Sequence, residues 1–159
     1  MLRLSKLTDY AVVVMVRLGR GEAVQTSPCI AAATGVPEPT VAKVLKILSA
    51  AGLVASHRGA RGGYRLVRPL DAVPIADIIA AIDGPIALTA CVDGGTSCEA
   101  QGLCPMRGRW DPVNRAIEAA LAGITLADMA DPGPTFAAPG EAAALGPRAL
   151  PLSALHVAE

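Results

Sequence analysis

Apolar side chains recur at helical spacing through the first fifty residues. Ala11, Val14, Met15 and Leu18 fall at i, i+3, i+4 and i+7, which defines the buried face of a first helix. Thr8 is its expected N-cap, Asp9 lies in the first turn where the helix dipole favours an anion, and Gly19 and Gly21 end it. A short second helix is expected with Ser27 as N-cap, Pro28 at the first helical position and Gly35 as a left-handed C-cap. A third begins around Glu38-Pro39-Thr40. Its apolar stripe is Val41, Val44, Leu45 and Leu48, and Lys43 and Lys46 lie away from that stripe. Two helices joined by so tight a turn suggest a helix-turn-helix.

After Gly52 the period changes. Leu53 to Ser56 and Tyr64 to Val67 read as two short strands around a loop, residues 57–63, that holds three glycines and two arginines. A helix-turn-helix followed by a basic, glycine-rich hairpin is the element order of a winged helix. In that arrangement one helix enters the DNA major groove and the wing reaches phosphates or the minor groove. Pro39, Thr40, Lys43 and Lys46 on the third helix, and Arg58, Arg61 and Gly62 in the wing, are the expected DNA-binding residues.

Beyond Pro69 a fourth helix presents Ile75, Ile78, Ile79 and Ile82 and stops at Gly84-Pro85. Residues 86–109 read as an irregular loop. Asp111-Pro112 is expected to cap a fifth helix with a face of Val113, Ile117, Ala120, Leu121 and Ile124, and Thr125 to Asp128 resembles a capping box opening a last short turn. From Asp131 onward Pro, Ala and Gly supply 16 of 29 residues without periodicity, so that tail is expected to be disordered. The expected class is mainly α with a small β-hairpin: a winged helix-turn-helix over 1–69, a cysteine loop with dimerisation helices over 70–130, and the tail over 131–159.

Charge sharpens this picture. The net charge is zero, yet residues 1–68 carry ten Lys and Arg against three acids and residues 69–159 carry four Arg against eleven. A basic block of that size is the electrostatic footprint of a nucleic-acid-binding domain. Aromatic residues are only 3% of the chain, which points to a helical core of small side chains. No apolar run reaches the ~20 residues of a membrane span, and no long uncharged signal-peptide core opens the chain, so a cytoplasmic protein without a membrane partner is expected. His57 and His156 are the two histidines and offer no general-base constellation, which speaks against an enzyme.

The strongest chemical feature is Cys91-x6-Cys98-x5-Cys104. A polar, glycine-rich loop offers no core in which to bury three thiols. Cytosolic thiols are normally reduced, and neither spacing fits the close Cys-x2–4-Cys knuckle of structural zinc. An iron–sulfur cluster needs soft thiolates and tolerates wider spacing, so it is the favoured occupant; zinc, redox thiols and structural cysteines stay open. Cys29, in the second helix beside Ile30, is expected to be a small core residue.

Leu4-Ser5-Lys6-Leu7-Thr8-Asp9-Tyr10-Ala11, Gly52-Leu53-Val54 with Arg58-Gly59-Ala60-Arg61-Gly62-Gly63-Tyr64, and the three-cysteine loop together resemble the bacterial Isc/Suf-type iron–sulfur regulators, most of all the Suf-operon branch. The resemblance covers about residues 1–130. It implies a homodimeric winged-helix transcription factor, a repressor of iron–sulfur assembly genes acting on a double-stranded DNA operator, with a 2Fe-2S or 4Fe-4S cluster on Cys91, Cys98 and Cys104. It also implies that the segment from Pro112 to Ile124 crosses the dimer interface. Isc-type members place a histidine three residues after the last cysteine, and Arg107 stands there instead. Lys6-Leu7-Thr8-Asp9 is similar to nitric-oxide-sensing members, in which the corresponding acid reaches across from the other subunit; this implies Asp9 as fourth ligand, ahead of the local acids Asp93, Glu99 and Asp111. A regulator switched by thiol redox, zinc or nitric oxide is the alternative, and a winged helix serving as a protein-interaction module is a third reading.

Overall fold

In the computed structural model, residues 3–21, 23–59, 62–89, 92, 104–106 and 108–130 are described. Helix α1 (Lys6–Gly19) starts earlier than expected, because Ser5 is the N-cap and its hydroxyl accepts from the Thr8 N–H at 3.2 Å. Thr8 is buried inside the first turn and donates its hydroxyl proton to Asp83 Oδ2 at 2.7 Å. Helix α2 (Ser27–Thr34) is likewise capped one residue early, by Thr26, whose hydroxyl accepts from the Cys29 N–H. Gly35 closes it at φ 72°, in the left-handed region, and donates to Ala31 O. Helix α3 (Glu38–Ala50) buries Val41, Val44, Leu45 and Leu48, as its stripe predicted.

Strand β1 (Val54–His57) pairs antiparallel with β2 (Gly63–Leu66), each offset by one residue from the expected span. The register puts Val54, Tyr64 and Leu66 on one face and Ala55, His57 and Arg65 on the other. The hairpin is tied down by a bridge to the α1–α2 connection: Gln25 N donates to Tyr64 O at 2.9 Å and Tyr64 N to Gln25 O at 2.8 Å. The backbones approach so closely that a Cβ on Gly63 would lie 2.6 Å from Gln25 O. Glycine is therefore the residue that admits the contact.

A 3-10 turn (Leu70–Ala72) leads into α4 (Ile75–Asp83), which buries Ile75, Ile78 and Ile79, with Ile82 half-buried. Helix α5 (Asp111–Ala122) and the short α6 (Leu126–Ala130) follow. The N-cap position of α5 is Trp110, with no side-chain cap, so Asp111 is its first helical residue rather than its cap. The Thr125–Asp128 capping box forms: Thr125 N donates to Asp128 Oδ2 at 2.8 Å and Asp128 N to Thr125 Oγ1 at 3.3 Å. Those Thr125 donors, backbone N–H first and hydroxyl second, hold the Asp128 carboxyl below the usual carboxylate range.

One continuous core runs from Ala11, Val14 and Met15 through Ile30, Leu45 and Val54 to Ile78 and Leu126. Helix α5 behaves differently. Its apolar stripe predicted a buried face, yet its buried residue is Asn114, while Val113 and Ile124 are 44% and 41% exposed. The stripe is only partly covered: Leu121 packs against the core and Ile117 is half-buried, which leaves Val113 and Ile124 facing outward. Among the described residues no helix is long and apolar enough to cross a membrane. The tail, from Asp131 on, lies outside the described residues.

Candidate nucleic-acid interface and thiol site

The buried stripe of α3 fixes what its opposite side presents. Pro39, Ala42, Lys43 and Lys46 are exposed, and Thr40 is half-buried at the flank. The single ion pair among the described residues joins Arg68 to Asp77 at 2.6 Å. Lys43, Lys46 and Arg58 therefore carry charge that no described carboxylate neutralises, which suits them to an anionic partner.

In the wing, Arg58 is exposed at the turn, whereas Arg61 lies outside the described residues. Gly62 shapes the turn. Its N–H donates to Gly59 O at 2.8 Å, and a Cβ there would sit 2.6 Å from His57 O. Sequence reasoning missed Arg65, which stands on the outward face of β2 and donates from Nε to His57 Nε2 at 2.8 Å. The alternation of Tyr64 and Leu66 around Arg65 carried the signal, since it predicts an outward side chain.

Of the expected cluster ligands, Cys91 and Cys98 lie outside the described residues. Cys104 is a half-buried free thiol a few residues before α5. Asp9 is exposed on the first turn of α1. Among the described residues no group of three His, Cys, Asp or Glu side chains is placed to hold a metal. Cys29 corrects an expectation: it is exposed, because α2 turns Ile30 into the core and the neighbouring position points to solvent.

The chain leading to the cysteines is held by a residue that the sequence did not flag. Asn114 is 3% exposed; its Oδ1 accepts from the Leu88 N–H at 3.0 Å, and its Nδ2 donates to Ile86 O at 2.7 Å and to Glu118 Oε1 at 3.1 Å. One buried amide thus staples the root of the loop to α5. Nothing in the pattern marks this, because two of the three partners are backbone groups. Beside it a cavity of about 750 Å³ opens between Ser5 and Lys6 on one side and Leu88, Trp110 and Leu121 on the other. Asp83 forms its base. Burial pushes the Asp83 carboxyl up, but donation from the Ser5 and Thr8 hydroxyls and the Ser5 N–H outweighs it and holds the group below the usual carboxylate range.

A sequence model of the Rrf2 family, described as an iron-dependent transcriptional regulator, matches residues 4–132. The chain belongs to the Rrf2 family. A Mycobacterium tuberculosis protein named as an HTH-type transcriptional regulator is 35% identical over 132 residues, which is 81% of each chain. Among solved structures, CymR, the global cysteine regulator of Bacillus subtilis, superposes with a TM-score of 0.63 at 31% identity, covering 82% of this chain and 97% of that one. IscR of T. potens gives a TM-score of 0.59 at 32% identity, over 80% and 85%. The Rrf2 membership and these neighbours make the hairpin a wing and α2–α3 the helix-turn-helix of a transcriptional regulator, not an enzyme.

Proposed function

We propose that this Rrf2 protein is an iron–sulfur-cluster-sensing repressor of iron–sulfur assembly genes that binds operator DNA as a homodimer. In this reading Cys91, Cys98 and Cys104 hold the cluster and Asp9 of the partner subunit completes it. Pro39, Thr40, Lys43 and Lys46 face the major groove, and Arg58, Arg61 and Gly62 set the wing on the backbone. The observation that carries the reading is the three-thiol run set shortly before a helix whose apolar stripe is left partly uncovered by its own chain, at Val113 and Ile124.

The donor set fits the group. Three thiolates are soft ligands of the kind iron–sulfur clusters take, Cys104 is partly shielded, and a carboxylate is a weaker fourth ligand than a thiolate. When bound, a cluster supplies a centre that oxygen or nitric oxide can alter. The chain's own residues supply the rest: Asn114 holds the loop root against α5, and a ligand at Asp9 on α1 ties the site to the DNA-binding half of the other protomer.

Anaerobic purification with iron and sulfide counting tests this, together with a gel shift across a salt series. Cys91→Ala, Cys98→Ala and Cys104→Ala should each lose most of the bound iron, while Cys29→Ala keeps it. Asp9→Ala should stay dimeric with an altered, more oxygen-sensitive spectrum. Full iron in all three loop variants would overturn the cluster. The second reading, a switch by thiol redox, zinc or nitric oxide, is favoured by the likeness to CymR, a cysteine regulator. It expects a colourless protein whose DNA affinity follows thiol oxidation or zinc.

A further inference from the structure

The side of α3 directly opposite its buried stripe is poor in hydrogen-bonding groups, while Glu38, exposed, and Thr40, half-buried, stand at its flanks. With Val41, Val44, Leu45 and Leu48 buried, the opposite positions are Pro39, Ala42, Lys43, Lys46 and Ala50, and all five are exposed. Only the two lysines among them can hydrogen-bond. Lysine is a pure donor and a compact charge, suited to guanine O6 and N7 or to a phosphate, and it cannot mark an A·T pair by its methyl group. In the first two turns, where a recognition helix meets base edges, Pro39 and Ala42 present hydrocarbon and nothing else.

The group in the major groove that matches exposed hydrocarbon is the thymine C5-methyl. Reaching it from an alanine requires the helix backbone to lie close to the groove floor. The short side chains at 39 and 42 permit that approach, and Lys43 and Lys46 flank it with charge. We propose that Ala42, backed by the Pro39 ring, is a specificity-determining residue that reads a thymine methyl in each operator half-site. The inference rests on the reading of α3 as the groove-facing helix.

The test uses the full chain, purified anaerobically, and duplexes enriched from a randomised library. Each thymine of the enriched site is then replaced singly by deoxyuridine, which pairs identically but lacks the methyl. One position per half-site, related by two-fold symmetry, should lose about four-fold in affinity, the value of one buried methyl-sized group. Ala42→Gly should bind the thymine and deoxyuridine duplexes equally there. Ala42→Gln, whose amide can pair with adenine N6 and N7, should shift that position towards adenine in a fresh selection. Both variants change an exposed position, and matching circular dichroism and melting curves confirm that the fold persists.

A scan with no sensitive position, or a sensitive position that stays sensitive in Ala42→Gly, overturns the thymine contact while leaving α3 as the reading helix. An enriched site whose salt dependence is unchanged by both Lys43→Ala and Lys46→Ala instead removes α3 from the groove. The underlying reading then fails, and the methyl contact fails with it.

Discussion

Helices α3 and α5 are close in length, 13 and 12 residues, and both are amphipathic, yet their own chain treats them in opposite ways. On α3 the apolar stripe is fully enclosed by α1, α2 and α4, so its polar side is free to meet a ligand. On α5 the fully enclosed residue is a polar one, Asn114, and the apolar side is only partly covered: Leu121 packs on the core while Val113 and Ile124 stay exposed. An apolar stripe therefore states that a surface must be covered, not which chain covers it. The first helix is finished within the monomer and offers charge outward. The second leaves Val113 and Ile124 open to a further apolar surface.

Substitutions on the two stripes separate the two helices most clearly. Leu45→Ala removes a fully buried side chain of α3 and should cost about 2–5 kcal/mol in chemical denaturation at any protein concentration. Ile124→Asp, just after α5, should leave the monomer's secondary structure intact and move the sedimentation profile towards the monomer. A variant that loses helical signal instead would show that the stripe is covered from within.

Asn114 sharpens the same contrast at its point of attachment. Asn114→Ala strands the Leu88 N–H and the Ile86 carbonyl, at about 1–3 kcal/mol. Amide exchange at Leu88 should accelerate while exchange in α3 holds. If both accelerate together, the residue supports the whole core rather than the loop root.

On the DNA side the effects are smaller and electrostatic. Each phosphate contact contributes a slope of about −0.9 in log K against log salt. Arg58→Ala and Arg65→Ala should each flatten the measured slope by roughly one unit. Arg68→Ala, whose guanidinium is paired with Asp77, should leave it unchanged and serves as the control.

The winged helix was legible because its signals are local. The stripe of α3, Pro28 in the first turn of α2, Gly35 and the glycine hairpin each fix a short stretch by period or by backbone constraint. The cap errors at Thr8 and Ser27, by three residues and by one, have a local cause too, since several hydroxyls compete in Ser5-x2-Thr8 and Thr26-Ser27 and tertiary contacts choose between them. Thr8 was taken by Asp83, 75 residues away. Asn114, Asp83 and the exposure of Cys29 were not legible, because each depends on which elements pack together. The proposed ligand set rests on a spacing in the sequence: the structure places Cys104 and Asp9, and Cys91 and Cys98 fall outside the described residues.

The smallest effect lies at the junction of the two regions. Asp83, at the end of α4, accepts from Ser5 N and Thr8 Oγ1 at the start of α1, so it ties the helix before the cysteine loop to the DNA-binding half. Burial opposes its charge, but the donors prevail and the folded carboxyl sits below its ordinary value of 3.8. A depressed folded value contributes stability that is present above pH 3.8 and is lost as pH falls through the lower folded value. Asp83 is largely exposed, so the contribution is about 0.5–1 kcal/mol after solvent screening. Asp83→Asn keeps one acceptor oxygen and preserves the geometry. Its melting temperature should lie slightly below wild type at pH 7 and pH 5, and the gap should narrow as pH falls below 3.8. A gap of constant size across that range would mean that Asp83 acts through shape alone, and that the two regions are joined by packing rather than by charge.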